Sequence, residues 1–283
     1  MTSYDCATFD KNNYCISFQA RYSNFDSMNE GAGVLTMAYK PSGQVRVGAF
    51  IDYRAGEQAP TNIKFGSERP TFGAFVGFAE KADGTGLQGK VVAAVQTGAA
   101  TITRSNKLEN TEPGSGKGSL NSYVFSLELG RGYAVAKDTV VTPFVGIRHS
   151  ASIRGSYSEV TIPDTVDYPI SYNDYSQRLT TASVGARVAV LLSEKFGYQL
   201  SAGLESDLSH KNSTYSGSST ISDLETFALV VNGANNRTRG FGSAGLYYQV
   251  DKGQRFIANV NVRSQAFTSQ TAVSVLAGYQ MAF

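Results

Sequence analysis

The amino-acid sequence predicts an all-β fold, a transmembrane antiparallel β-barrel of about twelve strands with short periplasmic turns and long extracellular loops. Three observations predict it. Hydrophobicity alternates with period two in segments of about ten residues, the connections between those segments alternate in length, and the chain ends on one such segment with an aromatic last residue. In residues 273–283, Val273, Val275, Ala277, Tyr279, Met281 and Phe283 form one face, while Ser274, Gly278 and Gln280 lie on the other. A barrel in an outer membrane needs this pattern, because its outward side chains touch lipid and its inward ones touch water.

The pattern recurs along the chain. Strands are predicted near 14–24, 31–40, 44–53, 70–80, 87–103, 120–134, 140–156, 178–192, 198–209, 239–250, 255–265 and 272–283. Ala182, Val184, Ala186, Val188 and Val190 alternate with Thr181, Ser183, Gly185 and Arg187 in the eighth, and Tyr198, Leu200, Ala202 and Leu204 with Gln199, Ser201, Gly203 and Glu205 in the ninth. Extending the parity in chain order places Arg21, Arg46, Asp52, Glu128, Arg148, Arg187, Glu205, Asp207 and Arg263 on the inner face. A charge facing lipid at mid-depth costs about 2–4 kcal/mol, so energy favours the same assignment. These residues are the candidate pore lining. Pairing across the lumen as a structural set and a part in transport are both open readings of them.

The turns at 41–43, 81–86, 136–139, 193–196 and 251–254 are tight and polar, whereas 54–69, 104–119, 157–177 and 211–238 are long. On the long-loop side only 26–30 and 267–271 are short. An even strand number leaves both chain ends on the periplasmic side. A barrel of this size has a lumen between the filled interior of eight strands and the open channel of sixteen, wide enough for about one α-helix of 10–12 Å diameter.

Composition narrows the function. No run approaches the roughly 18 apolar residues of a transmembrane helix, and the net charge of +2 is spread along the chain, which gives no footprint for nucleic acid. The 16 Tyr and 16 Phe, with no Trp, suit aromatic girdles at the two membrane interfaces. Cys6 and Cys15, the only cysteines, lie close together at the start of the chain. In an oxidising envelope they predict a disulfide, with two free thiols as the alternative. The two histidines, His149 and His210, are too far apart to complete a metal site, and neither has the neighbours of a catalytic base. Asp164, Asp167 and Asp174 share a long loop without a close His, and the Gly-rich stretch 113–118 lacks the strand-to-helix setting of a phosphate loop. No catalytic residue, metal or cofactor is therefore expected, and the chain is not expected to be an enzyme. Residues 1–5 show no signal-peptide pattern, which predicts a shortened product or the carboxy-terminal part of a longer precursor.

Residues 141–149, with Pro143 and Phe144 ahead of Ile147, Arg148 and His149, followed by Tyr157, Ser158 and Glu159, resemble the middle of classical autotransporter (type Va secretion) translocator domains. The stretches 31–39 and 45–50 and the aromatic ending are similar to that family too, so the resemblance covers the chain from about residue 14. It implies a Gram-negative outer-membrane domain that exports an upstream passenger and is inserted by the barrel assembly machinery, which reads Val275, Tyr279 and Phe283 of the last strand. Residues 1–13 would then be the remnant of a linker and 14–283 the barrel, a monomer in outer-membrane lipid. In the family a helical linker runs through the lumen, but residues 1–13 carry no amphipathic helical pattern. Asn12 and Asn13 match the self-cleaving Asn of some relatives by type only. The alternative reading is a stand-alone channel or adhesin barrel whose long loops bind a surface partner.

Overall fold

The computed structural model describes residues 4–25, 28–66, 70–104, 114–160, 168–222, 225–230, 237–266 and 270–283. In chain order its strands are β1 (Tyr14–Phe25), β2 (Met28–Tyr39), β3 (Val45–Gln58), β4 (Ile63–Phe65), β5 (Thr71–Ala79), β6 (Gly86–Thr103), β7 (Ser115–Ala136), β8 (Thr139–Arg154), β9 (Tyr157–Ser158), β10 (Ile170–Tyr172), β11 (Tyr175–Leu191), β12 (Phe196–Asn212), β13 (Tyr215–Ser219), β14 (Thr226–Leu229), β15 (Thr238–Asp251), β16 (Gln254–Ser264) and β17 (Thr271–Ala282). Twelve of them close a barrel, in the order β6-β5-β3-β2-β1-β17-β16-β15-β12-β11-β8-β7 with β7 pairing back to β6. Every pairing between barrel neighbours is antiparallel. Closure runs through the ends of the chain, with Cys15 opposite Ala282 and Asn24 opposite Val273 across β1 and β17.

Alternation sets the two faces. On β1, Tyr14, Phe18 and Tyr22 are exposed on the outside while Ser17, Gln19 and Ser23 are buried within. On β12, Leu200 and Leu204 are exposed and Glu205 is buried. Aromatic rings gather at the short-turn end, where Tyr14 lies 4.9 Å from Tyr39 and 5.7 Å from Phe283, and Phe256 lies 5.0 Å from Tyr279.

The long connections hold more strand than their sequence predicts. β7 has 22 residues and begins at Ser115, inside the predicted loop, and β12 runs on to Asn212. About 9–11 tilted residues span a bilayer, so β6, β7, β8, β11 and β12 overshoot it. Beyond the membrane the pattern of Ser, Thr, Gly and Lys no longer alternates in hydrophobicity, which hides these extensions from a parity scan. Above them β14, β13, β10 and β9 form a separate four-stranded antiparallel sheet, a cap built from the two longest connections. His210, which falls between the predicted strand 198–209 and the predicted loop 211–238, therefore lies within β12, and the Gly-rich stretch is in part the start of β7.

Candidate functional site

Charge concentrates in the lumen. In its outer half Arg21 pairs with Glu30 and holds Asp52, with Nε–Oδ2 at 2.9 Å, while Arg54 pairs with Glu30 at 2.8 Å and Glu57 at 3.3 Å. Across the lumen Glu205 receives three guanidinium groups, from Arg148 at 3.0 Å, Arg239 at 3.2 Å and Arg263 at 3.4 Å. Arg239 also meets Asp207 at 2.6 Å. At mid-depth Arg187 pairs with Glu128 at 2.5 Å and lies over the Phe144 ring. Each carboxylate is answered by a cation, as burial of charge requires.

The inner half holds the chain's own amino-terminal segment. Asn13 adopts a left-handed φ of 64°, a conformation Asn tolerates, and the turn closed by Asn13 N–H on the Asp10 carbonyl (3.2 Å) leads the segment into β1. Residues 4–9 then lie inside the barrel. Tyr4 Oη donates to Asp52 Oδ2 at 2.7 Å, and its ring is 4.8 Å from Phe50. The Asp5 carboxylate accepts from Arg46 at 2.7 Å and Lys90 at 3.2 Å. Gln280 on the last strand donates to the Asp5 carbonyl at 2.8 Å and accepts from Ala7 N–H and the Thr8 hydroxyl, both at 3.4 Å. Cys6 and Cys15 form a disulfide with Cα atoms 5.9 Å apart, and both are buried.

An apolar patch receives this segment. Ala38, Phe50, Phe75 and Val92 face inward and pack with Cys6 and Cys15. Phe50 and Phe75 fit because each ring covers a glycine on the neighbouring strand; a Cβ at Gly73 would meet Phe50 at 2.2 Å and one at Gly48 would meet Phe75 at 2.5 Å. The plug divides the lumen into an inner cavity of about 500 Å³, bounded by the short turns, and an outer one of about 480 Å³.

Outside the barrel the cap carries an aromatic stack. Tyr157 and Tyr172 lie 4.8 Å apart, with Tyr215 and Phe227 beside them, and the Arg154 guanidinium sits 4.9 Å from the Tyr157 ring centre and 5.5 Å from that of Tyr215. Glu159 joins the cap to the barrel wall through Arg104 at 2.8 Å. Burial, with the Glu159 charge nearby, pushes the Tyr172 phenol up to about 12.

The nine residues placed inward by parity sit on the inner face: Arg21 with Asp52, Arg148, Glu205, Asp207 and Arg263 in one cluster around Arg239, Arg187 with Glu128, and Arg46 apart from the carboxylates of the wall. Parity alone missed Glu30, Arg54, Lys90, Arg239 and Arg255. Bulges hide two of them: the β2–β3 register slips between Gly31 and Ala32, next to Arg54, and Glu30 lies just before the slip. Tyr4 and Asp5 had no signal, because nothing periodic places a segment inside a barrel. Val275, Tyr279 and Phe283 face outward or sit at the rim of the closing strand, with Tyr279 Oη donating to Gln254 at 2.7 Å. His149 bonds Thr180 at 2.9 Å and His210 bonds Asn212 at 3.2 Å. Asp174 lies in the cap connection, while Asp164 and Asp167 fall outside the described residues. Among the described residues no group of three His, Cys, Asp or Glu side chains is arranged to hold a metal.

The family model described as the autotransporter β-domain matches residues 12–261. The chain belongs to the autotransporter β-domain family. As an autotransporter β-domain it resides in the outer membrane and exports a passenger linked at its amino-terminal side. Its barrel is similar to the translocator domain of the autotransporter NalP from Neisseria meningitidis, at 13% identity and a TM-score of 0.71 over 97% of this chain and 90% of that one. It is also similar to the β-domain of the Bordetella autotransporter BrkA, at 13% identity and a TM-score of 0.60 over 97% and 100%. The CymD monoaromatic hydrocarbon channel shares the architecture at 10% identity and a TM-score of 0.54 over 97% and 89%. Comparison with the curated proteins finds no match. The autotransporter β-domain is a transport domain.

Proposed function

We propose that the autotransporter barrel carries its passenger outward by holding the segment before β1 inside the lumen, with residues 1–13 as the end of the passenger linker and 14–283 as the barrel. One observation carries this reading: Tyr4 on Asp52 lies deeper in the lumen than Asn13 at the short-turn rim, so the chain runs from the barrel interior to the start of β1. A passenger upstream of Tyr4 is thereby directed toward the outer half and the cell surface. The ion pairs of Arg21, Glu128, Arg148, Arg187, Glu205 and Arg263 serve as a hydrated lining that shields a polar chain from lipid.

The barrel works as a monomer, since its β1–β17 seam leaves no open edge to pair with a second copy. The barrel assembly machinery recognises the last strand through Val275, Tyr279 and Phe283. An epitope fused upstream through the native linker tests the reading in intact cells. Surface protease exposure that requires residues 14–283 is expected. An epitope retained in the periplasm beside a correctly inserted barrel would favour a stand-alone channel or an adhesin, for which the cap sheet with its exposed Leu229 and Val230 is the binding surface.

A further inference from the structure

We propose that the barrel, with its plug displaced, is an anion-selective pore whose filter is formed by Arg46, Lys90 and Arg255, and that Asp5 closes it as a tethered counter-ion. This activity is separate from passenger export and rests on how charge is distributed along the lumen.

In the outer half, Arg21, Arg54, Arg148, Arg239 and Arg263 each meet a carboxylate of the barrel wall. The inner half differs. Among the described residues, Arg46 and Lys90 each find an ion-pair partner in Asp5 alone, a residue of the plug and not of the wall. The wall carboxylate at this depth, Glu128, is engaged by Arg187. On the other side of the same cavity Arg255 has, among the described residues, no carboxylate within ion-pairing distance; its guanidinium lies 4.3 Å from the Tyr247 ring centre, and its buried Nε has no hydrogen-bond partner among them.

Arg46 and Lys90 thus form a carboxylate-binding site already occupied by a carboxylate. Arg46 grips Asp5 with both Nε (3.1 and 3.2 Å) and Nη2 (2.7 Å), the forked geometry that suits an oxyanion. When the plug leaves, Asp5 leaves with it, and Arg46, Lys90 and Arg255 remain around the inner cavity without a wall carboxylate paired to them. Such a ring concentrates anions and repels cations, as rings of Arg and Lys do in anion pores. The disulfide at Cys6 follows Asp5 directly and fastens it to the first residues of β1, so the blocking carboxylate stays at its site. Both sulfurs are buried, which makes substitution a cleaner way than added reductant to release the latch.

The test is ion conduction by the full chain reconstituted in planar bilayers of neutral phospholipid. Unaltered protein is expected to conduct weakly. The doubly substituted Cys6→Ser/Cys15→Ser chain frees the tether, and Asp5→Lys repels the segment from Arg46 and Lys90 with the disulfide intact. Either is expected to raise conductance several-fold, and the reversal potential across a KCl gradient should show chloride several-fold more permeant than potassium. Adding Arg46→Glu and Lys90→Glu to the opened chain should invert that preference. Conductance unchanged in both opened variants would overturn the plug as the gate, and an open pore without chloride preference would overturn the filter. Neither outcome bears on epitope export, which is read in cells.

Discussion

Arg239 answers two carboxylates at once, because its guanidinium is shared by Glu205 and Asp207, and all three side chains are almost fully buried. Replacing Arg239 with Met leaves two carboxylates close together with part of their compensation gone. A loss of about 3 kcal/mol is expected, the lower end of the range for breaking a buried pair by removing one partner; urea unfolding of the barrel in detergent measures it. A loss below about 1 kcal/mol would mean that Arg148 and Arg263 take over the charge. At this scale the sequence was informative about orientation and silent about partners. Parity along β12 turns Glu205 inward whatever faces it, but its three arginines come from β8, β15 and β16. Asp5 shows the same division more sharply. Its partners lie 41 and 85 residues away, and no local pattern joins them.

The last strand closes the barrel, so its ends matter more than its middle. Phe283 stacks on Tyr14 of the first strand, and its amide donates to the Tyr14 carbonyl at 3.3 Å. Phe283→Ser removes the ring contact, a loss of about 0.5–1.5 kcal/mol at the seam. It is expected to lower the amount of inserted barrel, read by heat-modifiable mobility of outer-membrane fractions; unchanged levels would count against a role for this residue in assembly. The cap is a second element with its own behaviour. Its Tyr172 phenol is raised from an unfolded value of about 10 to about 12, so burial favours the neutral form. That contribution is complete below pH about 10 and is lost as pH rises toward about 12, where a phenolate would form beside Glu159. A tyrosinate absorbance titration should show a late component, shared with the raised phenols of Tyr157 and Tyr215, that shrinks by one phenol in Tyr172→Phe, and identical titrations of the two proteins would refute it. The cap strands were invisible in the sequence because β9 and β10 have only 2 and 3 residues, too short for any period to register.

For the whole molecule, the bilayer is the outer solvent and the lumen the inner one, and neighbouring residues on a strand feel opposite costs. Leu200→Arg, on the outer face midway along the roughly ten residues by which β12 crosses the bilayer from Phe196, is expected to cost about 2–4 kcal/mol. Ser201→Arg, one residue on and facing the lumen beside Ser243, should cost much less. Urea unfolding of both in phospholipid vesicles measures the difference, and equal costs would contradict the assignment of the faces. Lipid must meet apolar side chains and water polar ones, and every backbone group must be paired within the wall. That rule operates residue by residue, so the sequence by itself determined the alternating strands, the short and long sides and the closed barrel of about twelve strands. Only the tertiary structure decided what fills the lumen, which charges answer one another across it, and how the long connections fold into a cap. These depend on contacts between segments far apart in the chain, whose energies arise when the wall closes and leave no periodic trace in the order of residues.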